Sequence, residues 1–159
     1  REVPAELHIF YGLQNMPEPI RQSWEDTLGE ATKTGFVFWH GRVNQKQLAE
    51  EFKKASIWLY PTSFLEVSCI TAMEAMAAGC VPIVPKLGAL PETIGNDGIF
   101  IPGPANGNLG FKMFVGYTVA LLQNKEEWQK WSDQGLAHRS PSWADVAQSW
   151  HERLQEELK

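Results

Sequence analysis

Short apolar runs alternate with amphipathic stretches through most of the chain, and each change of period marks an element. Leu7-His8-Ile9-Phe10-Tyr11 is an apolar run closed by Gly12 and reads as a buried strand. Residues 21–31 read as a polar helix. Phe36-Val37-Phe38-Trp39 is a second strand, stopping at His40-Gly41, and Asn44 is placed to cap a helix over 46–55, where Leu48, Phe52 and Ala55 recur at helical spacing. Ile57-Trp58-Leu59-Tyr60 is a third strand, ended by Pro61, which has no amide hydrogen to continue a ladder. Ser68 can cap a helix over 69–78, rich in the helix formers Ala, Met and Glu and stopped by Gly79 at a left-handed C′ position. Cys80-Val81-Pro82-Ile83-Val84 reads as a fourth strand despite Pro82. Residues 90–94 form a short helix with Pro91 in its first turn, and Gly98-Ile99-Phe100-Ile101 is a fifth strand. Beyond Asn108 the pattern is helical, over 109–122, 125–137 and 143–158.

Uniformly apolar short strands separated by helices imply a parallel sheet covered on both faces. The expected fold is therefore α/β, a doubly wound Rossmann-like sheet with a helical C-terminal segment. A length of 159 residues fits one domain, spanning 1–159, with strand-helix units over about 7–104 and helices over about 109–158. A hydrophobic fraction of 43% with 21% charged residues belongs to a packed globular protein, not a disordered one.

The net charge of -5 argues against a general role on nucleic acid or acidic membranes, so any anionic ligand must be held by local groups. No apolar run reaches the length of a membrane span or resembles a signal peptide, and the default expectation is a cytoplasmic protein without an integral membrane segment, peripheral at most in the full-length form. Cys69 and Cys80 fall at opposite ends of one expected helix, about 15 Å apart by its rise, too far for a disulfide.

Ligands of open parallel sheets bind beyond the carboxyl ends of the strands, which directs attention to the loops at His40-Gly41-Arg42-Val43, at 61–68 and at 85–88. The second puts Glu66 in a loop and Glu74 in the following helix. Unpaired amides and the positive end of the helix dipole can hold a phosphate against Cys69, Ile70 and Thr71 without a basic side chain. Ionised Glu only accepts hydrogen bonds, so carboxylates beside such a site suit sugar or ribose hydroxyls. Two glutamates near one helix are, on base rates alone, solvated surface residues.

The wider string changes that reading. Leu59-Tyr60-Pro61-Thr62, then Glu66 through Ser68-Cys69-Ile70-Thr71 to Glu74 and on to Gly79-Cys80-Val81-Pro82, closely resembles the glutamate, seven residues, glutamate motif of the retaining GT-B glycosyltransferases, family GT4. Residues 37–43 are similar to the family's strand and glycine turn at the nucleotide base, Gly88-Ala89-Leu90-Pro91-Glu92 to its loop beneath the donor sugar, and Ser142-Trp143 to the opening of its final helix. The resemblance covers nearly the whole chain and implies the C-terminal, donor-binding half of a GT-B fold. It implies that Glu66 contacts the transferred sugar as the catalytic carboxylate and that Glu74 binds the ribose hydroxyls. The backbone over Ser68, Cys69, Ile70 and Thr71 would meet the diphosphate, that around Arg42 and Val43 the base, and Gly88 the donor sugar. The implied partner is a nucleoside-diphosphate sugar, and no cofactor is implied.

The same resemblance leads to an expected fragment. The family carries an earlier strand and helix with an Arg and a Lys that neutralise the diphosphate, and before them an acceptor-binding domain. Here only Arg1 is basic ahead of Leu7. The chain is expected to lack the usual first strand-helix unit and the N-terminal acceptor domain, to bind donor weakly, and to be inactive in transfer on its own. In the usual order the missing strand is central, so its absence would leave sheet edges unpaired and open to a homo-oligomer.

Other chemistry is less favoured. No Asp-x-Asp occurs, and His8, His40, His138 and His151 lack ligand spacing, so no metal is expected. His40 suits a turn or packing role, and Cys69 lacks a base that would make it a nucleophile. Trp128, Trp131, Trp143 and Trp150 read as core packing or contact with a further domain, and the charged stretches 125–130 and 152–159 as solvated helix faces. The competing function is a non-catalytic α/β regulatory or scaffolding module. It is favoured by Val67-Ser68-Cys69, which stands where many members have Gly-Phe-Gly, and by the absent basic pair.

Overall fold

The computed structural model describes residues 3–103, 107–138 and 140–158. Arg1, and Lys159 at the end of the charged C-terminal face, lie outside the described residues. The elements run β1 (Leu7–Ile9), α1 (Glu18–Thr32), β2 (Val37–Trp39), α2 (Gln45–Phe52), β3 (Ile57–Leu59), α3 (Ile70–Ala77), β4 (Val81–Pro85), α4 (Leu90–Ile94), β5 (Ile99–Ile101), α5 (Asn108–Gln123), α6 (Lys125–Ala137) and α7 (Trp143–Glu157). Every expected element is present. The first helix begins three residues early, at Glu18, because Pro19 fits a first turn that has no amide to pair.

All strand pairings are parallel, but the strands fall into two sheets, β1-β2 and β3-β4-β5. Among the described residues β1 pairs only with β2 and β3 only with β4, so each keeps one edge without a strand there. This explains why the first run is not the buried strand its apolar composition predicted. With a neighbour on one side only, Leu7 stays 45% exposed and His8 is exposed as well.

In the larger sheet the period of two sorts the side chains onto two faces. Trp58, Tyr60, Val84 and Phe100 pack with Ala72 and Met76 of α3 and with Leu90 and Ile94 of α4. Ile57, Leu59, Ile83, Ile99 and Ile101 pack with Met113 and Phe114 of α5. Helices thus cover both faces, which is the doubly wound arrangement, and β4 is buried along its whole length. Each large aliphatic side chain withdrawn in this way stabilises the fold by about 1.5–3 kcal/mol before entropy is counted.

Pro82 sits in this central strand without breaking it. The Val81 amide bonds to the Ser56 carbonyl and the Tyr60 amide to the Ile83 carbonyl, at 3.0 and 3.2 Å, so odd positions of β4 face β3. Alternation turns the Pro82 nitrogen toward β5, which first pairs one residue later, at Ile83 with Ile99. No ladder bond is lost there. The ring instead fills the space over Gly98, where an added Cβ would lie 2.7 Å from Pro82 Cγ.

Two side-chain caps fix the entries to α2 and α7. Asn44 accepts from the Gln47 amide at 2.9 Å, and Ser142 and Asp145 form the reciprocal box at α7. α6 is tied down through Trp128 Nε1, which donates to the Ser56 carbonyl, and Ser132 Oγ, which donates to the Gly79 carbonyl, both at 2.8 Å. Trp128 and Trp131 are half-buried, but the core reading fails for Trp143, 86% exposed, and Trp150, because α7 contributes no buried residue. No helix among the described residues is long and apolar enough to cross a membrane.

Candidate functional site

Glu66 and Glu74 lie on either side of the start of α3, both half-buried. The Ser68 cap expected from sequence does not form. Ser68 is exposed, the N-cap is Cys69, and the Cys69 carbonyl accepts the Ala72 and Met73 amides at 3.1 and 3.4 Å. The helix consequently starts at Ile70, whose amide has no acceptor among the described residues and whose side chain is 62% exposed. The end of α3 is open to solvent, with Ser68 and Ile70 outside, Cys69 inside and Thr71 between them. Burial pushes the Cys69 thiol above its usual range, opposed by the nearby amides of Ala72 and Thr71. A buried thiol held in its neutral form is a packing residue and a poor nucleophile.

α3 itself is positioned by small side chains. Ala72, Ala75 and Met76 face the core at a spacing of three and four, which leaves Ile70 and Glu74 together on the outward face. Glu74 accepts a hydrogen bond from Gln45 Nε2 at 3.2 Å. Gln45 is the first residue of α2 and follows Arg42-Val43-Asn44 directly, so this bond ties the start of α2 to α3. α2 packs on the same region through Phe52, which meets Ala75 and Cys80.

Glu66 is held from two directions. Its carbonyl accepts the Ala89 amide at 2.8 Å, and its carboxylate accepts the Tyr60 hydroxyl at 2.5 Å. Gly88 adopts φ +54°, and a Cβ there would lie 2.7 Å from the Glu66 carbonyl oxygen and 2.8 Å from its nitrogen. Only glycine permits both that left-handed backbone and that approach. The second and third of the loops singled out by the carboxyl-end rule are therefore in contact, Glu66 against Gly88 and Ala89, while the helices that follow the first and second meet through Gln45 and Glu74.

A cavity of about 380 Å³ opens at the carboxyl ends of β1 and β2, lined in part by Tyr11, Gln14, Asn15, Arg42 and Val43. That volume is at the lower end of small-molecule sites. The sequence reading singled out Arg42 and Val43, which line this cavity, but not the 11–15 loop. Gly12 read only as a turn that closed a strand, although the carboxyl-end rule applies equally to β1. Its lack of a side chain lets the loop approach Arg42, since a Cβ would stand 2.9 Å from Arg42 Cβ.

His40 is engaged in packing. Its ring stacks on Phe10 at 4.6 Å between centroids, and its Nε2 lies 3.0 Å from Nδ1 of His8, which in turn stacks on Phe38. Among the described residues no group of three or more His, Cys, Asp or Glu is arranged to hold a metal ion.

A Rossmann-like α/β domain with carboxylates flanking an open helix start is the class that this fold and site define. The sequence profile of the family described as Glycosyl transferases group 1 matches residues 19–134, and the chain belongs to that family. No curated protein matches it at a significant level. Among solved structures it is similar to the catalytic domain of starch synthase IV from Arabidopsis thaliana bound to ADP and acarbose, with a TM-score of 0.70 and 18% identity over 86% of this chain and 29% of that one. It is also similar to a sucrose-phosphate synthase from Thermosynechococcus elongatus, with a TM-score of 0.69 and 19% identity over 96% of this chain and 38% of that one. The chain thus spans less than two fifths of either structure, and the likeness shows the fold, the Rossmann-like C-terminal half of GT-B enzymes.

Proposed function

We propose that this chain binds a nucleoside-diphosphate sugar and forms the donor half of a retaining glycosyltransferase. The observation that carries the reading is the pair of half-buried carboxylates on either side of an α3 start that no side chain closes. The diphosphate would rest on the amides of Cys69, Ile70 and Thr71, with the exposed Ser68 hydroxyl beside them. Those amides are already oriented, so they lower the energy of charge on a departing diphosphate without reorganisation. Glu74 would accept the ribose hydroxyls with the lone pairs that Gln45 leaves free, and Glu66 would accept hydroxyls of the sugar, above Gly88. The nucleoside base would then extend toward Arg42 and Val43 and the adjoining cavity.

In the reaction, an acceptor hydroxyl oxygen bonds to the anomeric carbon as the bond from that carbon to the diphosphate breaks. The nucleoside diphosphate leaves, and the hydroxyl proton goes with it or to solvent. An acceptor-binding domain of the kind the resemblance implies would supply the acceptor, and the earlier strand-helix unit the cations that complete charge neutralisation.

Titration calorimetry with UDP-, GDP- and ADP-sugars tests the reading. The parent is expected to bind one of them, and Glu74→Ala to weaken that binding about tenfold or more, the size of a hydrogen bond to a charged group. A folded parent that binds none of the three would overturn the donor role and favour a non-catalytic module.

A further inference from the structure

We propose that Tyr60 is a positioning residue for Glu66, its phenol fixing the direction in which the carboxylate meets the donor sugar. The inference rests on the donor-binding reading above and names a residue that reading leaves unused.

Glu66 lies in a loop with little of its own to hold it. Phe64 and Leu65 before it are exposed, and Val67 after it is 91% exposed. The Ala89 amide fixes the Glu66 backbone but not its side chain. Among the described residues the carboxylate finds its one side-chain partner in Tyr60, six residues earlier in the chain and rooted in the sheet. The Tyr60 amide bonds to Ile83 at the end of β3, its ring stacks on Trp58 at 5.1 Å, and both rings pack against the core cluster of α3 and α4. A rigid, half-buried phenol therefore meets a carboxylate on an exposed loop.

The chemistry suits that task. An O–H donor at 2.5 Å from a carboxylate oxygen is a charge-assisted hydrogen bond, short and directional. It occupies one lone pair of Oε1 and leaves the rest of the carboxylate to accept sugar hydroxyls. Burial first, and the bond to Glu66 second, push the Tyr60 phenol up to about 12, so it remains a donor across the working pH range.

Tyr60→Phe removes the donor and keeps the ring, its stacking and its place in the core. The variant is compared with the parent by calorimetry on matched ligands, UDP with UDP-glucose, GDP with GDP-mannose and ADP with ADP-glucose, using the pair the parent binds. Tyr60→Phe is expected to bind the diphosphate within about twofold of the parent and to lose about tenfold on the sugar nucleotide. In Glu66→Ala the same substitution is expected to cost nothing more, because the group it directs is gone. A loss equal for both ligands would make Tyr60 merely structural and overturn the proposal, as would unchanged binding of the sugar nucleotide or full additivity with Glu66→Ala. A parent that binds neither ligand instead brings down the donor reading, and this inference with it.

Discussion

Gly88→Ala should destabilise the protein through the loop that carries Glu66. Two costs are separable. Holding an alanine at φ +54° costs about 1–2 kcal/mol, since its Cβ crowds the following carbonyl. In addition, the new Cβ would stand 2.7 Å from the Glu66 carbonyl oxygen and 2.8 Å from its nitrogen, both backbone atoms that cannot swing aside as a side-chain tip can. Relieving that overlap must move the 65–67 backbone, at about 1–3 kcal/mol for an overpacked site, and it strains the 2.8 Å bond from the Ala89 amide to Glu66. The expected total is about 2–5 kcal/mol. Gly35→Ala is the control, because Gly35 has φ +73° with nothing within 4 Å of its would-be Cβ, so it reports the backbone cost alone. Urea unfolding followed by Trp fluorescence should give a larger loss for Gly88→Ala than for Gly35→Ala by at least about 1 kcal/mol, at unchanged m. Equal losses in the two variants would refute the close approach of Gly88 to Glu66.

Gly29→Ala should act in the opposite direction. Gly29 lies inside α1 with open space around its missing side chain, so alanine is expected to add about 0.5–1 kcal/mol, and a drop in the urea midpoint would contradict that account. The two cysteines should resist a thiol reagent at pH 8 in the folded protein. Both are buried, burial raises both thiols, and that of Cys80 is pushed up to about 11, which leaves roughly a thousandth as thiolate. Rapid labelling of either residue without unfolding would show that the helix α3 region opens far more readily than its packing implies.

The order and type of the elements were legible because each is set by local chemistry. The 57–59 and 99–101 runs are apolar at every position and short, Asn44 and Ser142 stand one residue ahead of helices that need their side chains, and Gly79 supplies the positive φ that ends α3. The glutamate motif was legible for a similar reason, since its spacing is measured along a single loop and helix. The helix start was misread by one residue because local preference favours Ser68 over Cys69 as the cap. What decided between them was the buried side of α3, which pulls Cys69 inward and leaves Ser68 in solvent.

By itself the sequence determined the alternation of short apolar strands with helices, which implies parallel pairing, and the spacing of the two glutamates, all read from neighbours in the chain. Only the tertiary structure decided that Leu7 stays half exposed, that Trp143 and Trp150 face solvent, that Gly12 yields space to Arg42, and that Tyr60 grips Glu66. Each of these depends on which segment arrives alongside from elsewhere in the chain. Burial and hydrogen-bond partners across a fold are set by that arrival, and no local pattern of residues encodes it.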